Sequence, residues 1–279
     1  MSENSTAITI SRLPALSHRQ AGRLALRLAL PLAAYYASAW LVQRTGATPA
    51  SDILFPLIAA FFVFTYVEGV KTVEGRVPTD VRPFSVKGAL LGIGLALIGL
   101  TLITVGLSLY LTVTAPGSPS LMQSIATGSL SFEELLRSRT VAAAVAAKEE
   151  ILFRALLLRW LVSFMPPGRV VLLQAVAFGA EHWIFGAYSI LNATLVGITL
   201  GVLYLRTHNL WVVLGFHFSW DFFIYVLSGG FSHYTRTLST TQQQDLGLAY
   251  LAVYVLCQAL MIILAVWITR RPGTLLRPA

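Results

Sequence analysis

Charge is what this chain most lacks: 11% of its 279 residues are Asp, Glu, Lys or Arg, against 56% hydrophobic, and the mean hydropathy is +0.72. That composition excludes intrinsic disorder, which requires high net charge and few apolar groups. It also excludes a nucleic-acid-binding domain with a charged surface. Cysteine is nearly absent. The one thiol, Cys257, lies in an apolar run, so a disulfide-stapled scaffold is excluded and no intramolecular disulfide can form. No collagen-like composition, fixed-period repeat or low-complexity tract is present. A polytopic membrane protein remains.

A bilayer core of about 30 Å takes roughly 20 apolar residues per helix. Runs of that kind fall at about 24–42, 53–70, 88–113, 140–164, 169–187, 188–205, 209–228 and 247–269. The expected fold is therefore an all-α membrane bundle of about eight transmembrane helices. It divides into an N-terminal tail (1–22), N-terminal transmembrane helices (23–135), a further helical region (136–228), and a final loop, helix and tail (229–279). Pro116, Pro119, Gly229 and Gly230 punctuate the longer connections. The tail leads into a run too long for a cleaved signal peptide and is read as preceding a retained first helix.

The net charge of +8 comes from 20 Lys+Arg against 12 Asp+Glu. With eight spans, fourteen basic residues, Arg159 among them, fall on the side of the N-terminus and four on the other. The positive-inside rule then puts both termini in the cytoplasm of a multi-pass cell-membrane protein. The surplus is accounted for by topology and anionic headgroups, and no nucleic-acid partner is expected. Ala193, Gly197 and Gly201 recur at helix-packing spacing and are read as structural.

Ionisable residues inside apolar runs are the informative ones, because each costs about 2.5–3.5 kcal/mol at a helix centre. The fourth run carries Lys148, Glu149, Glu150 and Arg154. The fifth carries Phe178, Glu181 and His182, and the seventh His217 and Asp221. Glu150 and Arg154 are spaced i,i+4 with the acid first, the favourable order for an ion pair. Glu149 projects about 100° away and is left with polar partners or water, which suits a base. Phe178 and His182 share a face, Glu181 points elsewhere, and Asp221 comes within reach of the His217 imidazole.

These residues resemble the CPBP/Abi family of intramembrane proteases, the type II CAAX prenyl endopeptidase-like group. Its E-E-x-x-x-R motif is matched by Glu149, Glu150 and Arg154, F-x-x-x-H by Phe178 and His182, and H-x-x-x-N/D by His217 and Asp221, in the family's order. Gly197, Gly201, Tyr204, Arg206 and Trp211 also fall in familiar places, so the resemblance covers about residues 140–225. It implies that Glu149, assisted by His182, activates a water for attack on a peptide carbonyl. His217 and residue 221 would then stabilise the oxyanion, with Glu150 and Arg154 supporting the geometry. Where many members carry asparagine this chain has Asp221, which donates a hydrogen bond only when protonated; alternatively it orients His217.

The expected function is thus an intramembrane endopeptidase acting on a membrane-associated or lipid-anchored peptide or protein. Two alternatives stand beside it: a non-catalytic peptide-binding scaffold or bacteriocin-immunity protein, and an ion-coupled transporter. The latter expects residues scattered along a pathway on broken helices rather than one cluster. No cofactor is expected. His182, His217 and either Glu149 or Asp221 would be the ligands of a catalytic zinc, but no H-E-x-x-H motif is present and such a site would have to be assembled across helices.

Overall fold

The computed structural model describes residues 15–46, 49–75, 85–114, 121, 123, 131–235 and 238–269. Among them every regular element is helical: α1 (His18–Thr45), α2 (Pro49–Glu74), α3 (Val86–Thr114), α4 (Phe132–Glu149), a π-helical segment (Glu150–Leu158) ending in a short α turn (Arg159–Leu161), α5 (Pro167–Glu181), a 3₁₀ turn (Trp183–Phe185), α6 (Ala187–Thr207), α7 (Leu210–Thr235) and α8 (Thr240–Thr269). Six of these, α1, α2, α3, α6, α7 and α8, are long and apolar enough to cross a membrane, which makes this a multi-pass membrane protein. The α4 helix with its π continuation carries too many charges to qualify by composition. At 15 residues α5 extends only about 22 Å, and it returns through the 3₁₀ turn into α6.

Two helices begin earlier than their apolar runs, because capping rather than hydropathy starts them. Ser17 and Gln20 form a capping box ahead of α1, and Ser131 and Glu134 form another ahead of α4. At the other end of the bundle Gly229 and Gly230, expected to break the chain, lie inside α7, which continues to Thr235. A lone glycine pair costs a helix about 1 kcal/mol per residue, too little to end one. Pro116, Pro119 and most of the expected N-terminal tail lie outside the described residues.

α3 and α7 pack most intimately. A β-carbon on Gly92 would fall 2.0 Å from the Val212 carbonyl oxygen, and one on Gly215 would fall 2.4 Å from that of Ala89, so the two backbones touch. The small-residue row of α6 lies against α5. A β-carbon on Gly197 would fall 3.0 Å from the Ala175 Cα, and Gly201 faces the Gln174 amide, whose nitrogen donates to the Gly197 carbonyl at 2.7 Å. The α1–α2 hairpin packs on α4 through α2, and α8 closes the bundle against α3 and α6. Hydroxyls of Thr104, Ser108 and Thr112 donate back to carbonyls four residues earlier at 2.8 Å, so these polar groups are satisfied within α3.

Arg159, counted above among the interfacial basic residues, is instead buried. Its guanidinium donates to Glu74 at 2.5 Å and to the Tyr66 hydroxyl at 2.9 Å, tying the end of the π segment to α2. Its charge is consumed inside the bundle and is no measure of topology.

Candidate active site

Both adjacent acids fall at the junction where α4 gives way to the π-helical segment. Wide i→i+5 turns of this kind are uncommon and recur at functional sites, because the extra residue re-aims side chains that a regular helix would send elsewhere. Here Glu149, Glu150 and Arg154 all point into the protein, with exposures of 4%, 0% and 0%.

The expected ion pair forms: Arg154 Nη1 donates to Glu150 Oε1 at 2.8 Å. The same oxygen lies 2.6 Å from His217 Nδ1 on α7, so Glu150 joins the arginine of its own helix to the histidine of another. The other edge of the His217 ring faces two more carboxylates. Nε2 is 3.3 Å from Asp221 Oδ2 and 3.6 Å from Glu149 Oε2. The i,i+4 proximity of His217 and Asp221 is thus realised, while the bond to Glu150 has no signal in either local sequence, because α4 and α7 meet only in the folded bundle.

Phe178 of α5 is the hub of this arrangement. The Arg154 guanidinium stacks over its ring at 4.4 Å from the centroid, His182 lies 5.1 Å away, and His217 meets it edge-on at 5.7 Å. His182 closes α5, and its Nδ1 lies 2.9 Å from the Phe178 carbonyl oxygen. A carbonyl only accepts, so Nδ1 carries the hydrogen and the lone pair of the neutral ring is on Nε2. His182 makes no ion pair with Glu149 or Glu150 among the described residues; the histidine brought up to both acids is His217.

Two expectations are corrected by one residue. Glu149 is not left with only polar partners or water, because Lys148 Nζ lies 3.0 Å from its Oε1. Glu181 does not point away from the cluster, because its Oε1 accepts from the same ammonium at 2.5 Å. The two carboxylates share one cation, which offsets part of the charge they bring together. The signal was present in the sequence as a lysine adjacent to the motif and an acid adjacent to His182. Helical projection sends neighbouring residues to different faces and so conceals it.

No group of three or more His, Cys, Asp or Glu side chains among the described residues converges as a metal site.

The helices carrying this cluster coincide with a recognisable stretch of sequence. Residues 131–223, a third of the chain, match the family model described as Rce1-like, type II CAAX prenyl endopeptidase. The matched stretch runs from the capping box of α4 to two residues past Asp221 on α7, and the match supports a likeness to the CPBP/Abi membrane proteases. No curated protein and no solved structure matches the chain.

Proposed function

We propose that the protein is an intramembrane endopeptidase in which Glu149 activates a water for attack on a peptide carbonyl. The observation that carries this is the division of labour between adjacent acids. Glu150 is engaged by Arg154 and His217, whereas Glu149 is held at Oε1 and turns Oε2, which accepts no hydrogen bond among the described residues, toward His217 Nε2. A water bound by Glu149 Oε2 gives up its proton to the carboxylate as its oxygen adds to the substrate carbonyl. The family resemblance gives His182 the part of holding the same water, through the lone pair on its Nε2. When His217 carries both protons it donates Nδ1–H to Glu150 and Nε2–H to the oxyanion. Asp221, 3.3 Å from that nitrogen, orients the ring and offsets its charge. Return of the proton from Glu149 to the leaving amine completes hydrolysis.

The substrate class is a peptide or protein segment presented at the membrane, including a lipid-anchored tail. The test is substrate trapping: the Glu149→Gln protein, purified in detergent, should retain peptides that the wild type releases as two fragments, identified by mass spectrometry. Peptides retained by both proteins and cut by neither would favour the peptide-binding scaffold instead.

The reaction so described needs no metal, since the base and the oxyanion donors are protein groups. Activity is expected to survive exhaustive chelation, with no stoichiometric metal in elemental analysis of the active enzyme. Stoichiometric zinc, with activity lost on chelation and restored by zinc, would recast His182 and His217 as ligands.

We further infer that both termini are cytoplasmic, from the basic asymmetry. Moving the buried Arg159 out of the count leaves the excess on the same side. Single cysteines near residue 279 should react with a membrane-impermeant thiol reagent only after the cell is opened. Labelling in intact cells would overturn this topology.

A further inference from the structure

Lys148 stands just before the two acids, yet its ammonium does what adjacent helical residues rarely do. Side chains at i and i+1 diverge by about 100°, so a lysine does not ordinarily meet the carboxylate of the next residue. Here it does, at 3.0 Å, because groups from two other helices draw the ammonium sideways. Glu181, the last residue of α5, takes it at 2.5 Å. From α1, the rings of Tyr35 and Tyr36 lie beneath it at 4.9 and 5.5 Å, and the Tyr36 hydroxyl donates to Glu181 Oε1 at 3.2 Å. The lysine side chain is 4% exposed, so water does not compete for its charge.

We propose that Lys148 is a positioning residue for Glu149, aimed by a latch that Glu181 of α5 and the tyrosine pair of α1 build around its ammonium. By occupying Oε1 the ammonium fixes the rotation of the carboxylate and turns Oε2 toward His217. Against the burial that disfavours ionisation of Glu149, the charge of the ammonium also favours the carboxylate form that accepts a proton. The charged and titratable groups around this contact are Glu181, Tyr35 and Tyr36 on the lysine side, and His217 and Asp221 of α7 on the far side of Glu149. The arrangement gives the α1 helix, outside the family match, a part in the chemistry. Movement of α1 or of the α5 end would release Lys148 and, through it, Glu149.

The kinetic consequence rests on the endopeptidase reading; the effect on the carboxylate does not. Two readouts on full-length protein therefore separate them. The first is turnover, per folded protein, of a peptide that the wild type cuts from a pool of unmodified and S-farnesylated peptides. Lys148→Gln should lower kcat about 100-fold, the scale of a misplaced reacting group, with KM changed little. Lys148→Arg should restore most of it, and Glu181→Gln should show a smaller loss in the same direction. The second is labelling by dicyclohexylcarbodiimide, an apolar reagent that attacks protonated carboxyls, read at Glu149 by peptide mass spectrometry at pH 7. Labelling should rise several-fold in Lys148→Gln, rise less in Glu181→Gln and stay near wild type in Lys148→Arg. Should Lys148→Gln fail to fold, Glu181→Gln carries both readouts. Wild-type kcat or wild-type labelling in folded Lys148→Gln, or in Glu181→Gln where Lys148→Gln does not fold, overturns the proposal. If no Glu149-dependent cleavage is found in the pool, the endopeptidase reading falls and the labelling alone decides the role of Lys148.

Discussion

Replacing Glu149 with glutamine is expected to remove turnover while leaving the protein folded. Glutamine keeps the volume and an acceptor oxygen but cannot take a proton from water, so the loss should be at least the roughly hundred- to ten-thousandfold of a general base. The fold should tolerate the change better than burial alone suggests. Glu149 is not the only counter-charge of its partner: Lys148 retains Glu181 at 2.5 Å and the faces of Tyr35 and Tyr36. The Glu150–Arg154–His217 connection is untouched. The measurement is kcat alongside thermal unfolding in the same detergent. Turnover within tenfold of wild type would remove Glu149 from the base position. Turnover lost together with a large drop in melting temperature would mean that its role is to hold the bundle.

The residues that make this prediction differ in how far they could be read from the chain. Glu150 with Arg154 and His217 with Asp221 were legible because each pair lies on one helix at i,i+4, where spacing alone fixes proximity. The bundle was legible because a bilayer demands long apolar runs whatever their packing. Two things were not. The π-helical stretch at Glu150–Leu158 has no distinctive composition, and regular helical projection gives the directions of Glu149 and Glu150 without it. The contacts of Lys148 with Glu181, and of Glu150 with His217, join residues 33 and 67 positions apart on different helices, and a pattern within one segment carries no information about them. Arg159 illustrates the same limit from the opposite side. It stands at the end of an apolar run like an interfacial anchor, and only the arrival of Glu74 and Tyr66 from α2 makes it a core residue.

Replacing Glu150 with glutamine should have the opposite balance, with the larger effect on stability. The carboxylate is wholly buried and its Oε1 serves two partners at once, Arg154 at 2.8 Å and His217 at 2.6 Å. Arg154 is equally buried; it also lies over the face of Phe178, which attracts the cation but does not neutralise it. Removing one member of a buried pair leaves the other charge uncompensated, at about 3–5 kcal/mol. Turnover of the surviving folded protein should also fall, because Nδ1 of His217 exchanges a charged acceptor for a weaker amide oxygen and the ring loses its anchor. A double replacement separates the two effects. Glu150→Met combined with Arg154→Leu removes both charges, and exchanging a buried pair for apolar residues of similar volume is often neutral or stabilising. Thermal unfolding of the double variant should therefore recover most of the loss of Glu150→Gln while its turnover stays low, since His217 then has no partner on the π segment. Recovery of both would make Glu150 a partner of Arg154 alone and leave the aim of His217 to Asp221.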